Sequence, residues 1–375
     1  MTLRSVTYKR LIKPVLFHFS PDKAHAFTIR TLSIAGRIPG FARTTRRVSV
    51  RRHPELEFEW SGMHFSSPVG LGAGLDKNGQ IVNMMRSLGF GFTEVGSVTA
   101  EAFKGNARPW FYRLPQTQSL VVHVGLANHG IRRIIQRLEA LPRTVQKKYP
   151  TILSVARTNS QHTAETKQGI ADYVHSVAIA QQSAAVQMIE INISCPNAFG
   201  GETFTTPQLL DQLLIAIDEV SVTKPLLIKM PADLTWPQTK ALLNVASTHA
   251  VTGITFANLT KNREVIDFKE PLPKEVQGGL SGVPTRELST NLLHKTAQAY
   301  GDRFVLIGLG GVFSAKDAYD KITRGAQFVE LVTSLIIEGP QVVEEINAGL
   351  VDLLRRDGFT HISEAIGSKV TKTSR

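Results

Sequence analysis

The chain has 375 residues, 42% hydrophobic and 20% charged, a balance suited to a folded protein with a large core, in one big barrel or two ordinary domains. Its formal net charge of +12 favours anionic partners: phosphorylated cofactors, acidic small molecules, nucleic acid or phospholipid head groups. A single cysteine excludes a disulfide framework or a cysteine-built metal cluster and agrees with a reducing compartment; no run approaches the roughly 20 apolar residues that span a bilayer, and no secretory leader pattern is apparent.

In chain order, Val6 to Gly36 reads as two short helices. The first mixes Tyr8, Leu11, Ile12, Val15, Leu16 and Phe19 with Lys9, Arg10 and Lys13. Ser20-Pro21-Asp22 then supplies a cap residue, a proline at the first helical position and an acid in the first turn. The second helix presents Ala24, Phe27, Thr28, Thr31, Leu32 and Ala35. The arginine-rich run between Phe41 and His53 reads as a linker or solvated loop, which sets a boundary between an extension at 1–52 and a main domain at 53–375. Leu56 to Phe65 alternates on both sides of Ser61-Gly62, the pattern of a β-hairpin.

Short apolar runs then recur between helical patterns at Val69–Leu71, Thr93–Val95, Ile152–Val155, Met188–Ile193, Leu226–Ile228, Ile254–Ala257, Val305–Ile307 and Phe328–Val332. Eight strands alternating with helices predict an α/β fold, a (β/α)8 TIM barrel preceded by the helical extension and the hairpin. Residues just after such strands meet at one mouth, where sites are built. Here they include Lys77, Ser97, Ser154, Asn192, Cys195, Lys229, Asn258, Gly310, Gly311 and Thr333.

Three features at that mouth carry chemistry. Cys195 lies between Asn192 and Asn197, directly after a strand. A free cysteine alone is more often a small buried apolar residue, but a tunable thiol beside amides that both donate and accept suits a general base facing a planar C=O/N–H ligand. Lys229 ends an otherwise apolar strand; it reads either as a lysine reaching for solvent or as a cation that balances a reduced flavin. The glycine-rich segments Gly70–Gly79, Gly278–Gly282 and Gly308–Gly311, with Thr333 after the last strand, suit close approach of a flat ring and a phosphate site late in the barrel.

Read together, Gly74-Leu75-Asp76-Lys77, Gly96-Ser97-Val98-Thr99, Gly105-Asn106-Ala107-Arg108-Pro109, Asn192-Ile193-Ser194-Cys195-Pro196-Asn197, Gly279-Leu280-Ser281-Gly282 and Gly310-Gly311 closely resemble the dihydroorotate dehydrogenases. The match runs from about Tyr8 to Glu345, and Phe17 to Phe27 looks like the membrane-associating extension of the quinone-linked class 2 enzymes. The resemblance implies FMN-dependent oxidation of dihydroorotate to orotate in pyrimidine biosynthesis, with quinone as acceptor. It also implies peripheral membrane contact, in a bacterium on the cytoplasmic face of the inner membrane. No nucleic-acid partner and no metal are implied.

By position, the resemblance puts the flavin against Ala73, Gly74, Ser97, Asn192, Lys229 and Ala257, with Lys77 and Ser154 joining the cofactor set. Gly279, Gly311 and Thr333 fall at the phosphate end; Lys77, Gly125, Leu126, Asn192, Asn197 and Asn258 fall on substrate-contacting positions, and Cys195 on the catalytic base. The base would take a ring-carbon proton while hydride leaves the adjacent carbon for the flavin. The chain departs from class 2 at Cys195, usually serine, and at Val122, usually a substrate-binding asparagine. Ala257, Leu259 and Val332 replace residues that are usually polar, Trp110 stands where arginine is common, and Arg113 of the quinone tunnel is retained. Three alternatives stay open at this point. They are a paralogue acting on another dihydropyrimidine, a tRNA dihydrouridine synthase-like enzyme suited by the basic charge, and a degenerate barrel kept for binding.

Overall fold

The computed structural model describes residues 3–195, 199 and 203–371; Asn197, a predicted substrate contact, lies outside them. The predicted hairpin is present as β1 (Phe58–Trp60) and β2 (Met63–Phe65), with Phe58 opposite Phe65 and Trp60 opposite Met63. Ser61 and Gly62 both take positive φ, 51° and 73°, the two-residue turn whose twist matches its flanking strands.

Each apolar run seen in the sequence is a strand of one closed parallel barrel. In chain order these are β3 (Val69–Leu71), β4 (Phe92–Val98), β7 (Thr151–Val155), β8 (Met188–Asn192), β9 (Leu226–Lys229), β10 (Val251–Phe256), β12 (Val305–Leu309) and β13 (Phe328–Leu331). The ring closes where β13 pairs with β3, Val329 beside Val69 and Leu331 beside Leu71. The strands read as near-continuous apolar runs because helices cover the barrel outside and side chains fill it inside.

Side chains from the starts of the strands pack the lower end. Phe92, Ile152, Met188, Leu227, Ile307 and Phe328 form a buried cluster with Phe65 of the hairpin, and Phe58, Trp60 and Met63 close it from below. Phe65 meets Phe328 at 4.8 Å and Phe92 at 6.1 Å between ring centroids. A dry plug therefore occupies one end, and the site lies at the other.

At that upper end β5 (Phe111–Leu114), β6 (Ser119–Val122) and β11 (Gly279–Leu280) form a small antiparallel sheet, with Val122 paired to both Phe111 and Gly279.

The extension differs from its sequence reading in detail. The first helical segment runs without a break from Leu3 to His18, through a wider π turn at Tyr8–Ile12. The second, Pro21–Arg37, buries Ala24, Ile29 and Ser33 and turns Phe27 and Thr31 outward; Ser20 precedes it without a side-chain cap. Asp22 instead accepts the Trp110 backbone N–H at 3.1 and 3.2 Å. The arginine-rich run is not a loop: Phe41–Ser49 is a helix. Its arginines are good helix formers, and the chain turns extended at Val50, ahead of the hairpin.

Candidate active site

The upper mouth holds a cavity of about 530 Å³. It brings together Ala73, Gly74, Lys77, Ser97, Gly125, Leu126, Asn192, Cys195, Lys229, Ala257, Asn258, Gly279, Gly311 and Thr333, contributed by segments from one end of the barrel sequence to the other. Ser154, predicted among them, does not line the cavity. It is fully buried behind Ser97, whose hydroxyl lies 2.9 Å from its own.

The reactive corner is built at the end of β8. Tyr173 donates to the Asn192 carbonyl at 2.8 Å, which pins the strand terminus. Ser194 donates to Asn192 Oδ1 from its backbone N–H at 3.1 Å and from its hydroxyl at 2.6 Å. The amide nitrogen of Asn192 is thereby turned the other way, donating to Ser97 Oγ at 2.8 Å and to Cys195 Sγ at 3.5 Å. Asn258 donates to the same sulfur at 3.8 Å and to Ser194 Oγ. Cys195 is half-buried. Burial pushes its thiol pKa up, against the two amide hydrogen bonds that favour the thiolate.

Across the cavity, Lys77 donates to the Gly74 carbonyl and lies 5.3 Å over the Phe111 ring. Burial lowers its pKa to about 8, against the pull of Asp76 and Asp22. Gly125 and Leu126 both take left-handed backbone (φ 68° and 65°); a Cβ on Gly125 would lie 2.2 Å from Asn106 Oδ1, so only glycine allows the Asn106 side chain to pack there.

Lys229 forms the floor, 3.2 Å from Glu94 Oε2 and 3.5 Å from Glu190 Oε1. Glu94 also accepts the Ala73 N–H at 2.7 Å, and Glu190 accepts from Ser154 at 3.1 Å. Burial alone would lower the Lys229 pKa, but Glu190 and Glu94 outweigh it and hold the ammonium charged. Glu330, on β13, completes the group and reaches the cavity wall. The sequence reading missed all three glutamates. Their signal was an acid interrupting each of three apolar strands, at Thr93-Glu94-Val95, Ile189-Glu190-Ile191 and Val329-Glu330-Leu331. It also missed His25, Asn106, His123, Asn159 and Lys261, which line the same cavity from loops and from the extension.

The far end fits a phosphate. Gly310 and Gly311 take φ of 102° and 69°, and Cβ atoms there would collide with Thr285 Oγ1 at 2.6 Å and Arg286 Cβ at 2.4 Å. Thr333 Oγ1 donates to Ser281 at 2.8 Å. The Ser334 hydroxyl beside it is buried and has no hydrogen-bond partner among the described residues. An orphaned donor over a glycine cradle is what an anionic group at this end would satisfy. Arg113 is placed elsewhere. It donates to the Phe17 and Phe19 carbonyls at 3.2 and 2.9 Å and stacks on Phe17, tying the first helical segment to the roof sheet.

Comparison with known proteins extends this geometry. The family model for dihydroorotate dehydrogenase matches residues 55–354. A dihydroorotate dehydrogenase (quinone) of Deinococcus deserti is 34% identical over 370 residues, 96% of this chain and 99% of its own. One from Halobacterium salinarum is 34% identical over 358 residues, with the same coverage. In fold, the chain resembles the crystal structure of the Eimeria tenella enzyme in complex with ferulenol. The TM-score is 0.82 at 24% identity, over 95% of this chain and 98% of that one.

Proposed function

This chain belongs to the dihydroorotate dehydrogenase family, and on that premise we propose that it oxidises dihydroorotate to orotate, a step of pyrimidine biosynthesis, with quinone as the final electron acceptor. The observation that carries the reading is the convergence of two amide donors on the Cys195 sulfur inside one cavity. That cavity has a buried lysine in its floor and an orphaned hydroxyl over glycines at its far end.

FMN, when bound, supplies the two-electron acceptor that links substrate to quinone. Gly279, Gly311, Thr333 and Ser334 would hold its phosphate, and Ala73, Gly74, Ser97, Asn192, Lys229 and Ala257 its ring. Lys77 balances the substrate carboxylate. Asn192 and Asn258 hold the amide edges of the pyrimidine ring, with Asn197 assigned beside them by the family pattern, while Gly125 and Leu126 fix its position. Cys195 Sγ accepts the ring-carbon proton, and the two amide hydrogen bonds stabilise the thiolate that performs this step. The roof sheet, with Val122 and Gly279 paired, lines one side of the site with Phe111 and Leu120.

Residues 1–52 form the part that meets a membrane surface, and 53–375 the catalytic barrel. Among the described residues no helix is long and apolar enough to cross a bilayer; the proposed contact is peripheral. His25, at the junction of extension and cavity, is kept neutral by burial and by Lys77, with its pKa lowered to about 3. An uncharged imidazole leaves that entrance compatible with an apolar quinone.

Anaerobic mixing of the purified yellow protein with dihydroorotate tests the assignment. The flavin absorbance bleaches and returns on adding quinone. A flavin that stays oxidised rejects the substrate.

A further inference from the structure

Beneath the cavity floor, Glu94, Glu190 and Glu330 are each fully buried, and Lys229 is the cation they meet. Four of their six carboxyl oxygens, Glu94 Oε1, Glu190 Oε2 and both of Glu330, make no hydrogen bond among the described residues. Glu94 and Glu190 both reach the one Lys229 ammonium, at 3.2 and 3.5 Å, and Glu330 stands close enough for the charge of Glu94 to act on it. Ionised carboxylates cannot donate to each other, so the unpartnered oxygens gain a donor within the cluster only where one of the acids carries a proton.

Two such protons settle the charge. Three carboxylates against one ammonium would leave two negative charges in the barrel interior, where unpaired charge is most costly. One proton on Glu190 and one on Glu330 make the cluster neutral and supply the missing donors to Glu94. Glu94 is the member fitted to stay ionised, since it takes both the Lys229 ammonium and the Ala73 N–H. Burial, reinforced by Glu94, raises the pKa values of Glu190 and Glu330, while Lys229 draws that of Glu94 down despite burial.

We propose that Glu190 and Glu330 are carried as neutral carboxylic acids that donate to the Glu94 carboxylate, and that this neutrality sets the reduction potential of the flavin above them. The proposal rests on the FMN reading. Lys229 lines the cavity, and its charge is balanced by one carboxylate, rather than outweighed by three, only while both acids keep their protons. The charged and polar groups facing the pair include Glu94 on β4, Ser154 on β7, Lys229 on β9 and Thr255 on β10.

Two measurements test it. Infrared spectra of the protein, with or without flavin, show the carbonyl band of a protonated carboxylic acid, and Glu190→Gln/Glu330→Gln removes it. Absence of the band in the unsubstituted protein overturns the proposal. In the flavin-loaded protein, Glu330→Gln leaves the midpoint potential at pH 7 unchanged, because a neutral group replaces a neutral group. An ionised Glu330 would instead make that substitution raise the potential, which also overturns it. At alkaline pH the unsubstituted protein's potential falls more steeply than the variant's, by up to about 30 mV per pH unit for each proton taken up with two electrons; equal slopes refute the coupling. A protein that takes up no flavin defeats the FMN reading, while the infrared band still decides the protonation of the cluster.

Discussion

At Cys195 two opposing influences meet, and their balance dictates the pH behaviour of the site. Burial raises the thiol above its ordinary value of about 8.5, so the thiolate fraction grows as pH rises. Lys77 runs the other way: its lowered pKa of about 8 means that its charge is lost above that pH. The profile of kcat/KM reports the free protein's groups. It therefore rises while Cys195 ionises and falls as Lys77 discharges, with KM for dihydroorotate increasing above pH 8. A KM flat from pH 7 to 10 would remove Lys77 from carboxylate binding. Cys195→Ala lowers turnover by about 10²–10⁴-fold yet keeps FMN, as visible absorbance of the purified variant shows. The sulfur and Asn192 were legible because a strand end, a thiol and an amide coincide in one short segment, whereas Asn258, the other amide at the sulfur, comes from a different strand end. Glu94, Glu190 and Glu330 were missed although each interrupts an apolar strand, because the partners that make a buried acid tolerable come from other strands.

The barrel strands were readable as elements because each is a short apolar run bounded by polar or glycine-rich residues, and a closed sheet buries both faces of such a run. Phe41–Ser49 was not readable, since its sequence holds three arginines and buries none of its side chains. The hairpin makes the separation of roles testable. Phe65 is fully buried and meets Phe58, Phe92 and Phe328, at the end of the barrel opposite the cavity. Phe65→Ala costs about 3–5 kcal/mol of stability, measured as a lowered denaturant midpoint. Dihydroorotate KM in the folded variant stays unchanged, because none of these rings lines the cavity. A shifted KM at full folding would show that the plug and the site are mechanically coupled.

Over the whole molecule, charge and exposed apolar surface are gathered on the extension. Leu11, Val15, Phe19, Phe27, Ile34 and Ile38 are exposed there, alongside the exposed arginines Arg10, Arg30, Arg37, Arg43 and Arg47. On the proposed reading, such a helical surface, with apolar side chains next to cations, would be held in the headgroup region of an anionic bilayer by both contributions. The extension is fastened to the catalytic mouth at several points. Tyr8 donates to the Ile336 carbonyl at 2.7 Å, Asn83 to the Gly36 carbonyl at 2.9 Å, and Arg113 clasps Phe17 and Phe19. Such fastening would present the cavity entrance to the lipid from which quinone arrives. Leu11→Asp/Phe27→Asp should therefore weaken binding to anionic vesicles at least tenfold, since each lost side-chain burial is worth about 1.5–3 kcal/mol. Turnover with a short, water-soluble quinone stays intact, because neither residue lines the cavity. Added salt should weaken binding of the unsubstituted protein, as the Debye length contracts from about 10 Å at 0.1 M to about 3 Å at 1 M. Sedimentation with vesicles reads both effects; a double variant that still pellets with anionic lipid would place the membrane contact on another face.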